Sequence, residues 1–297
     1  MGKIRRTFGF ILNHPFGKRH PIQSLYRFIT WQIQSTLQPG RLFVKKFIGP
    51  VKFYARKGLT GITGNIYTGL HEFNDMAFLL HFLRPEDTFF DVGANVGSYT
   101  LLASGYCGAK TIAFEPADTT FELLSKNVEL NRLSGVVTPV NAAVGASEGT
   151  IAFTSGEDTT NHAVAEGELP QNKVIHIQVV TVDKMAHSAV PALMKIDVEG
   201  YETEVLKGMT HVLDNPALKA IIIELNGSGE RYGYNEKDIH ELLLTKQFKP
   251  YQYDPFNRVL TALSSFGHYN TIYCRDPDFV NSRVKQAAAV KIMGDAM

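Results

Sequence analysis

The 297-residue chain is 44% hydrophobic with a net charge of +1, which excludes a disordered chain and suits one large α/β domain behind an N-terminal extension. Its two cysteines, Cys107 and Cys274, are far apart and lack metal-ligand spacing, so a disulfide framework and a structural zinc site are excluded and a reducing compartment fits. Charge is unevenly spread: residues 1–71 hold twelve Lys or Arg and no acid, and the remainder, opening at Glu72, carries a net −11.

A basic arm of that kind suits an anionic partner such as a membrane surface, an acidic glycan or nucleic acid, and equally the acidic body of the chain itself. Of these, nucleic acid is not expected. The apolar run over residues 8–12 is far shorter than the roughly 20 residues a bilayer requires. Residues 13–15 lack a signal-peptidase pattern, and Arg6 stands where a myristoylation motif needs Ser or Thr. The expectation is a cytoplasmic protein, peripheral on the inner membrane face.

Along residues 22–37, Ile22, Leu25, Tyr26, Ile29, Ile33 and Leu37 recur at helical spacing. The spacing predicts an amphipathic helix, suited to a lipid interface with help from Trp31, or to packing on protein. Residues 42–60 have the character of short strands. Residues 71–83 read as a helix closed by Pro85.

Thr88-Phe89-Phe90-Asp91 is an apolar run ending in an acid, and Val92-Gly93-Ala94-Asn95-Val96-Gly97-Ser98 turns into a helix opening at Tyr99. This is a strand–loop–helix nucleotide site, where glycines let backbone N–H groups approach a ligand at a helix N-terminus. Asn95 replaces the middle glycine of the dinucleotide pattern, which disfavours a nicotinamide cofactor. A ligand end bearing its own ammonium and carboxylate fits better, and S-adenosylmethionine has one.

Residues 110–116 form a second strand whose acid, Glu115, lies 24 residues beyond Asp91, the length of one strand–helix–strand unit. An acid there can accept both hydroxyls of a ribose. A helix follows over 118–133, then a strand over 136–144 whose end, Asn141 and Ala142 onward, lies where an adenine can bind or a core can pack. Residues 149–154 and 174–180 read as a hairpin around a polar loop that can cover a substrate. Asn161 and His162 in that loop are exposed candidates for acceptor contact, as is Glu72 at the start of the domain.

Met194-Lys195-Ile196-Asp197-Val198-Glu199-Gly200-Tyr201-Glu202 is a buried strand running into three acids. Asp197 and Glu199 can position an acceptor hydroxyl, take its proton or hold a divalent cation such as magnesium; Glu199 or Glu202 can instead cap the following helix, 202–213. Another strand, 220–225, ends near Glu224, a further candidate for catalysis and, with Asp197, for metal. A helix from Asn235, strands over 249–254 and 269–275 and a terminal helix from about 279 complete the chain.

On Asp91-Val92-Gly93-Ala94-Asn95-Val96-Gly97, Phe114-Glu115-Pro116, Ala143-Val144-Gly145 and the Lys195–Glu202 motif, the sequence resembles the FkbM-like S-adenosylmethionine-dependent methyltransferases over roughly residues 72–275. The resemblance implies a class I methyltransferase fold: Rossmann-like α/β, a seven-stranded mostly parallel sheet with helices on both faces and a C-terminal antiparallel hairpin. The segment before Glu72 is left unexplained by it, so the charge boundary sets the domains at 1–71 and 72–297; the resemblance carries Asp91, Gly93, Asn95 and Gly97 over to the methionine end of the cofactor and Glu115 to its ribose. It sets Asp197 and Glu199 beside the acceptor, a hydroxyl of a sugar or polyketide-like substrate. A nicotinamide-dependent oxidoreductase and a non-catalytic cofactor-binding protein are the alternatives, and an oligomer is compatible with either class.

Overall fold

The computed structural model describes residues 2–155, 161–165, 167–169, 173–187 and 189–297. At its centre the parallel strands β3 (Thr88–Val92), β4 (Lys110–Phe114) and β5 (Val137–Val140) run outward in one direction from β3. The chain then returns to β3's other side with β9 (Leu193–Ile196) and β10 (Ala220–Glu224), both parallel to it. Strand β13 (Asn270–Cys274) pairs antiparallel with β10 and with β11 (Lys249–Asp254), and β12 (Val259–Ala262) closes that edge. The expected seven-stranded, mostly parallel sheet is present, with β12 as an eighth strand in the order β12-β11-β13-β10-β9-β3-β4-β5.

Central strands covered on both faces carry unbroken apolar runs. Phe90, Met194 and Ile221 face one core, with α8 (Val182–Met185), α9 (Glu202–Lys207), α10 (Thr210–Asp214) and α11 (Glu236–Thr245) on that side. Phe89, Leu193 and Ile222 face a second core against α5 (Phe73–Phe82) and α12 (Pro277–Lys285). The helix after β3 is α6 (Ser98–Thr100) and passes into a wide π-helical turn over Leu101–Tyr106, while α7 (Asp118–Leu130) follows β4.

Two expected elements are divided. The strand over 136–144 breaks after β5, and β6 (Ala143–Val144) joins β7 (Gly149–Ser155) and β8 (Lys173–Val180) in a separate three-stranded sheet. The break is set by Asn141, whose Nδ2 donates to Glu115 O at 3.0 Å and Pro116 O at 3.2 Å. The helix over 202–213 breaks at Gly208, where a Cβ would lie 2.0 Å from Gly145 O. At the C-terminus a short hairpin pairs β14 (Lys291–Ile292) with β15 (Asp295–Ala296).

The N-terminal segment is a layer rather than a free arm. It consists of α1 (Gly2–Asn13), α2 (Pro15–Arg19), α3 (Pro21–Leu37), the hairpin of β1 (Phe43–Lys46) with β2 (Lys52–Ala55), and α4 (Thr60–Thr68). Ile11, Phe28, Trp31 and Phe53 share a core with Val96, Leu101 and Leu123 of the sheet domain. His14 fixes the layer: its Nε2 donates to Leu70 O at 2.6 Å and its Nδ1 accepts from Phe16 N–H at 3.2 Å. Only the neutral imidazole serves both roles, and burial lowers its pKa to about 4.

The helix over 22–37 is present as α3, but Trp31 is not on its outer face. Trp31 is 3% exposed, while Ile29 on the far side is 49% exposed. Urea melts of two variants check that orientation. Trp31→Ala should lose about 3–5 kcal/mol, and Ile29→Ser should stay within about 0.5 kcal/mol of the parent.

Candidate active site

In an open parallel sheet, ligands bind beyond the carboxyl ends of the strands where the strand order reverses. Here that point lies between β3 and β9, and the loops leaving the two strands almost touch. Gly93 has φ +80°, and a Cβ on it would sit 1.8 Å from Asp197 O. Beside this contact opens a cavity of about 320 Å³. Its walls come from the loop after β3, the tips of β4, β9 and β10, strand β7 and the start of α5.

Glu115, at the tip of β4, lines the cavity. Its Oε2 accepts Asn95 N–H and its Oε1 accepts Ala117 N–H, each at 2.9 Å. Lone pairs remain for two further donors. Burial pushes its pKa up to about 7, against the pull of those backbone bonds. Asn95 lines the cavity at φ +51°, with its Oδ1 turned back onto Val96 N–H at 2.7 Å. Ala142, Val144, Phe114 and Ile151 provide an apolar wall.

Three expected cofactor residues do not line the cavity. Asp91 is 1% exposed, and its Oδ2 accepts Thr100 N–H at 2.9 Å and Thr100 Oγ1–H at 2.6 Å. It pins the turn that it was expected to extend toward a ligand. Gly97, at φ +94°, keeps a Cβ out of Leu124, whose Cδ1 would be 2.7 Å away. Asn141 is exposed and ties strand ends together, as described above.

On the other side of the cavity, Asp197, Glu199 and Glu224 bring carboxylate oxygens within 4.8 Å of one another. Lys195 Nζ donates to Asp197 Oδ2 at 2.9 Å and to Asn270 Oδ1 at 3.1 Å. Burial alone would raise the Asp197 pKa, but the Lys195 charge and hydrogen bonds from Glu224 and Lys195 hold it below the usual carboxylate range. Burial and the neighbouring Asp197 charge push Glu199 up to about 7 and Glu224 up to about 9. Glu199 holds a left-handed backbone at φ +54°. Glu202 turns away and accepts Val198 N–H at 3.1 Å and Gly200 N–H at 3.2 Å.

Glu72 lines the same cavity, with Oε2 accepting Tyr99 OH at 2.7 Å and Oε1 accepting Asn270 Nδ2 at 3.0 Å. Asn161 lines it too. His162 does not, and it is buried where an exposed residue was expected. Its Nε2 meets Glu168 Oε1 at 2.9 Å, and its backbone N–H donates to Thr154 Oγ1 at 2.9 Å. It therefore fastens the chain to β7. Much of the polar loop over 155–172 lies outside the described residues.

Lys195, Asn270 and Tyr99 were not expected at the site. Lys195 had a signal in the sequence: a lysine inside a strand otherwise apolar, Leu193-Met194-Lys195-Ile196, needs a buried acid. Asn270 had none, since it reaches the site only through the antiparallel pairing of β13 with β10.

The profile described as "Methyltransferase FkbM domain" matches residues 91–253, more than half of the chain. The chain belongs to the FkbM methyltransferase domain family. S-adenosylmethionine is the cofactor that membership brings, and a nicotinamide-dependent oxidoreductase is thereby set aside. Among relatives, the hexuronic acid methyltransferase AglP of Haloferax volcanii is 33% identical over 56% of this chain. Methyltransferase 1 of Beauveria bassiana is 32% identical over 42%, and the 31-O-demethyl-FK506 methyltransferase FkbM of Streptomyces tacrolimicus is 29% identical over 52%. The chain spans 64%, 59% and 72% of their respective lengths. A solved methyltransferase FkbM from Methylobacillus flagellatus KT is 14% identical, with 65% of this chain and 44% of that chain covered and a TM-score of 0.45.

The FkbM match takes in Gly93, Glu115, Asp197 and Glu224 but begins after Glu72 and the N-terminal layer. The Gly93–Asp197 approach gives a direct test of the geometry. Gly93→Ala should cost at least about 2 kcal/mol, because left-handed strain and the clash act together. Denaturation should report that loss, and calorimetry a parallel loss of S-adenosylmethionine binding.

Proposed function

We propose that this FkbM-family chain is an O-methyltransferase acting on a sugar hydroxyl of a glycan or glycolipid at the cytoplasmic face of a membrane. One observation carries the reading: Glu115 and the Gly93–Asn95 turn share a single cavity with Asp197, Glu199 and Glu224. A donor and an acceptor can therefore meet without leaving it. The hexuronic acid named for AglP supports a sugar as acceptor.

The cavity fits the cofactor chemically. Glu115 has lone pairs for two ribose hydroxyls, and the Ala142–Val144 wall suits an adenine. When bound, S-adenosylmethionine supplies an electrophilic methyl group. The chain's part is to hold the acceptor oxygen in line with it, and positioning of that kind contributes much of the acceleration in such transfers. Asp197, kept ionised by Lys195, accepts the hydroxyl's hydrogen bond. Glu199, with a pKa near neutrality, is matched to take the proton as the oxygen loses it. Glu72 and Asn161, on the remaining wall, would contact the rest of the acceptor.

A divalent cation at Asp197 and Glu224 has less support. The Lys195 ammonium, 2.9 Å from Asp197 Oδ2, already supplies a positive charge to that carboxylate. No step is assigned to a metal, and methyl transfer should survive a chelator.

Mass spectrometry of glycans and lipids incubated with the protein and S-adenosylmethionine tests the activity, and absence of methylation in every sugar-bearing fraction would overturn it. Within that assay, Asp197→Asn and Glu199→Gln should each lower kcat by about 10²- to 10⁴-fold with cofactor affinity nearly unchanged. Loss of cofactor binding instead would move both residues to the donor half. Glu115 predicts a pH dependence: below about 7 its carboxyl holds a proton and accepts ribose hydroxyls poorly. Affinity for S-adenosylmethionine should therefore rise between pH 6 and 8, and Glu115→Gln should flatten that rise.

A further inference from the structure

We propose that the outer face of α3 is a docking surface for an anionic lipid bilayer. Ile22, Tyr26, Ile29, Ile33 and Leu37 are 84, 68, 49, 56 and 75% exposed. At 100° per residue they fall within one narrow stripe. Ser24, Phe28, Trp31 and Ser35 form the opposite, buried face. The helix is thus apolar on both sides, and packing against protein uses only one of them. A contiguous exposed apolar ridge on a folded domain marks an interaction surface.

Charge selects the occupant. Residues 1–71 contain no acid and twelve basic residues. Lys57 Nζ reaches Thr36 Oγ1 at 3.3 Å beside the stripe, and Arg41 lies just past the helix end. At the other end, Asp295 is already paired with Arg19 at 3.3 Å and His20 at 3.1 Å. A second copy docking through the same face would set basic against basic, since a two-fold interface apposes identical patches. An anionic lipid surface meets both requirements at once, apolar residues entering the interface and lysines and arginines meeting headgroups.

The face is also close to the cavity. Phe28 packs edge-on to Tyr67 of α4 with ring centroids 5.2 Å apart. From the same helix Gly61 lines the cavity, and Asn65 Nδ2 donates to the cavity residue Ser98 at 3.2 Å. A bilayer on α3 would therefore lie one helix away from the acceptor wall. That an acceptor waits there rests on the glycolipid reading; the docking face itself does not.

Co-sedimentation of the full chain with phosphatidylcholine vesicles, with and without phosphatidylglycerol, tests the proposal. Binding should require phosphatidylglycerol, weaken as salt is raised, and fall by roughly tenfold or more in the double variant Ile29→Glu/Ile33→Glu. S-adenosylmethionine binding should be unchanged in that variant, which shows that it is folded. Failure of the parent protein to bind anionic vesicles, or equal binding by the variant, would overturn the proposal. So would a dimer in light scattering that the double variant dissociates, since the stripe would then belong to a second copy. Vesicle binding without methyl transfer on any glycan would sink the enzymatic reading and leave the docking face standing.

Discussion

A single buried ammonium arranges the ligand edge of the sheet. Lys195 is 1% exposed, and a lysine in such a place stays charged only if acids and hydrogen bonds replace its water. Burial works against its charge, but Asp197, Glu72 and Glu224 outweigh burial and raise its pKa. Asn270 carries the same connection further, from Lys195 to Glu72 at 3.0 Å and Asp75 at 3.2 Å. Strands β9 and β13 and the start of α5 are thereby fastened at one point.

The acids around that point oppose folding. Asp75 and Glu199 are pushed up to about 7 and Glu224 to about 9, in each case chiefly by burial. A carboxyl whose folded pKa is raised costs stability as pH climbs from its unfolded value through the folded one. Asp197, held low by Lys195, has the opposite sign and adds stability above its unfolded pKa. The site is thus a concentration of carboxyl groups gathered around one cation, an arrangement a hydrophobic core of the same volume would not need. It suits a function that uses the carboxylates.

The strand tips are legible in the sequence because the signal is local: an apolar run that ends in an acid. Glu115, Asp197 and Glu224 are all found that way, and the structure sets all three in one cavity. What a tip residue does is not local. Asp91 turns from the cavity because Thr100, nine residues on, presents both an N–H and a hydroxyl to it. Asn141 is taken up by the carbonyls of Glu115 and Pro116, and His162 by Glu168 and Thr154. In α3 the periodicity identifies the helix but not its buried side. Phe28 and Trp31 are fewer than the residues of the outer stripe, and the layer takes them up through edge-on aromatic contacts, Phe28 with Tyr67 of α4 at 5.2 Å and Trp31 with Phe43 of β1 at 5.8 Å between ring centroids.

The cavity's two halves have different origins along the chain, which bears on specificity. The wall that carries Glu115 and the Gly93–Asn95 turn is built within residues 91–253, where the family match lies. The far wall draws on Gly61, His71 and Glu72, all before that match. Those residues are held by the N-terminal layer: Asn65 Oδ1 accepts His71 N–H at 2.7 Å, and His14 grips Leu70 O. The layer is in turn stitched to α7, where Asn127 Oδ1 accepts Tyr54 N–H at 2.7 Å while its Nδ2 donates to Val96 O at 2.8 Å. One asparagine therefore links β2 to the loop after β3. A shared fold supplies the donor chemistry, and discrimination among acceptors falls to residues grafted around it. In this chain Gly61, His71 and Glu72 stand on or beside the same layer that turns the exposed apolar stripe of α3 outward, so the proposed acceptor wall and the proposed docking face belong to one packed unit.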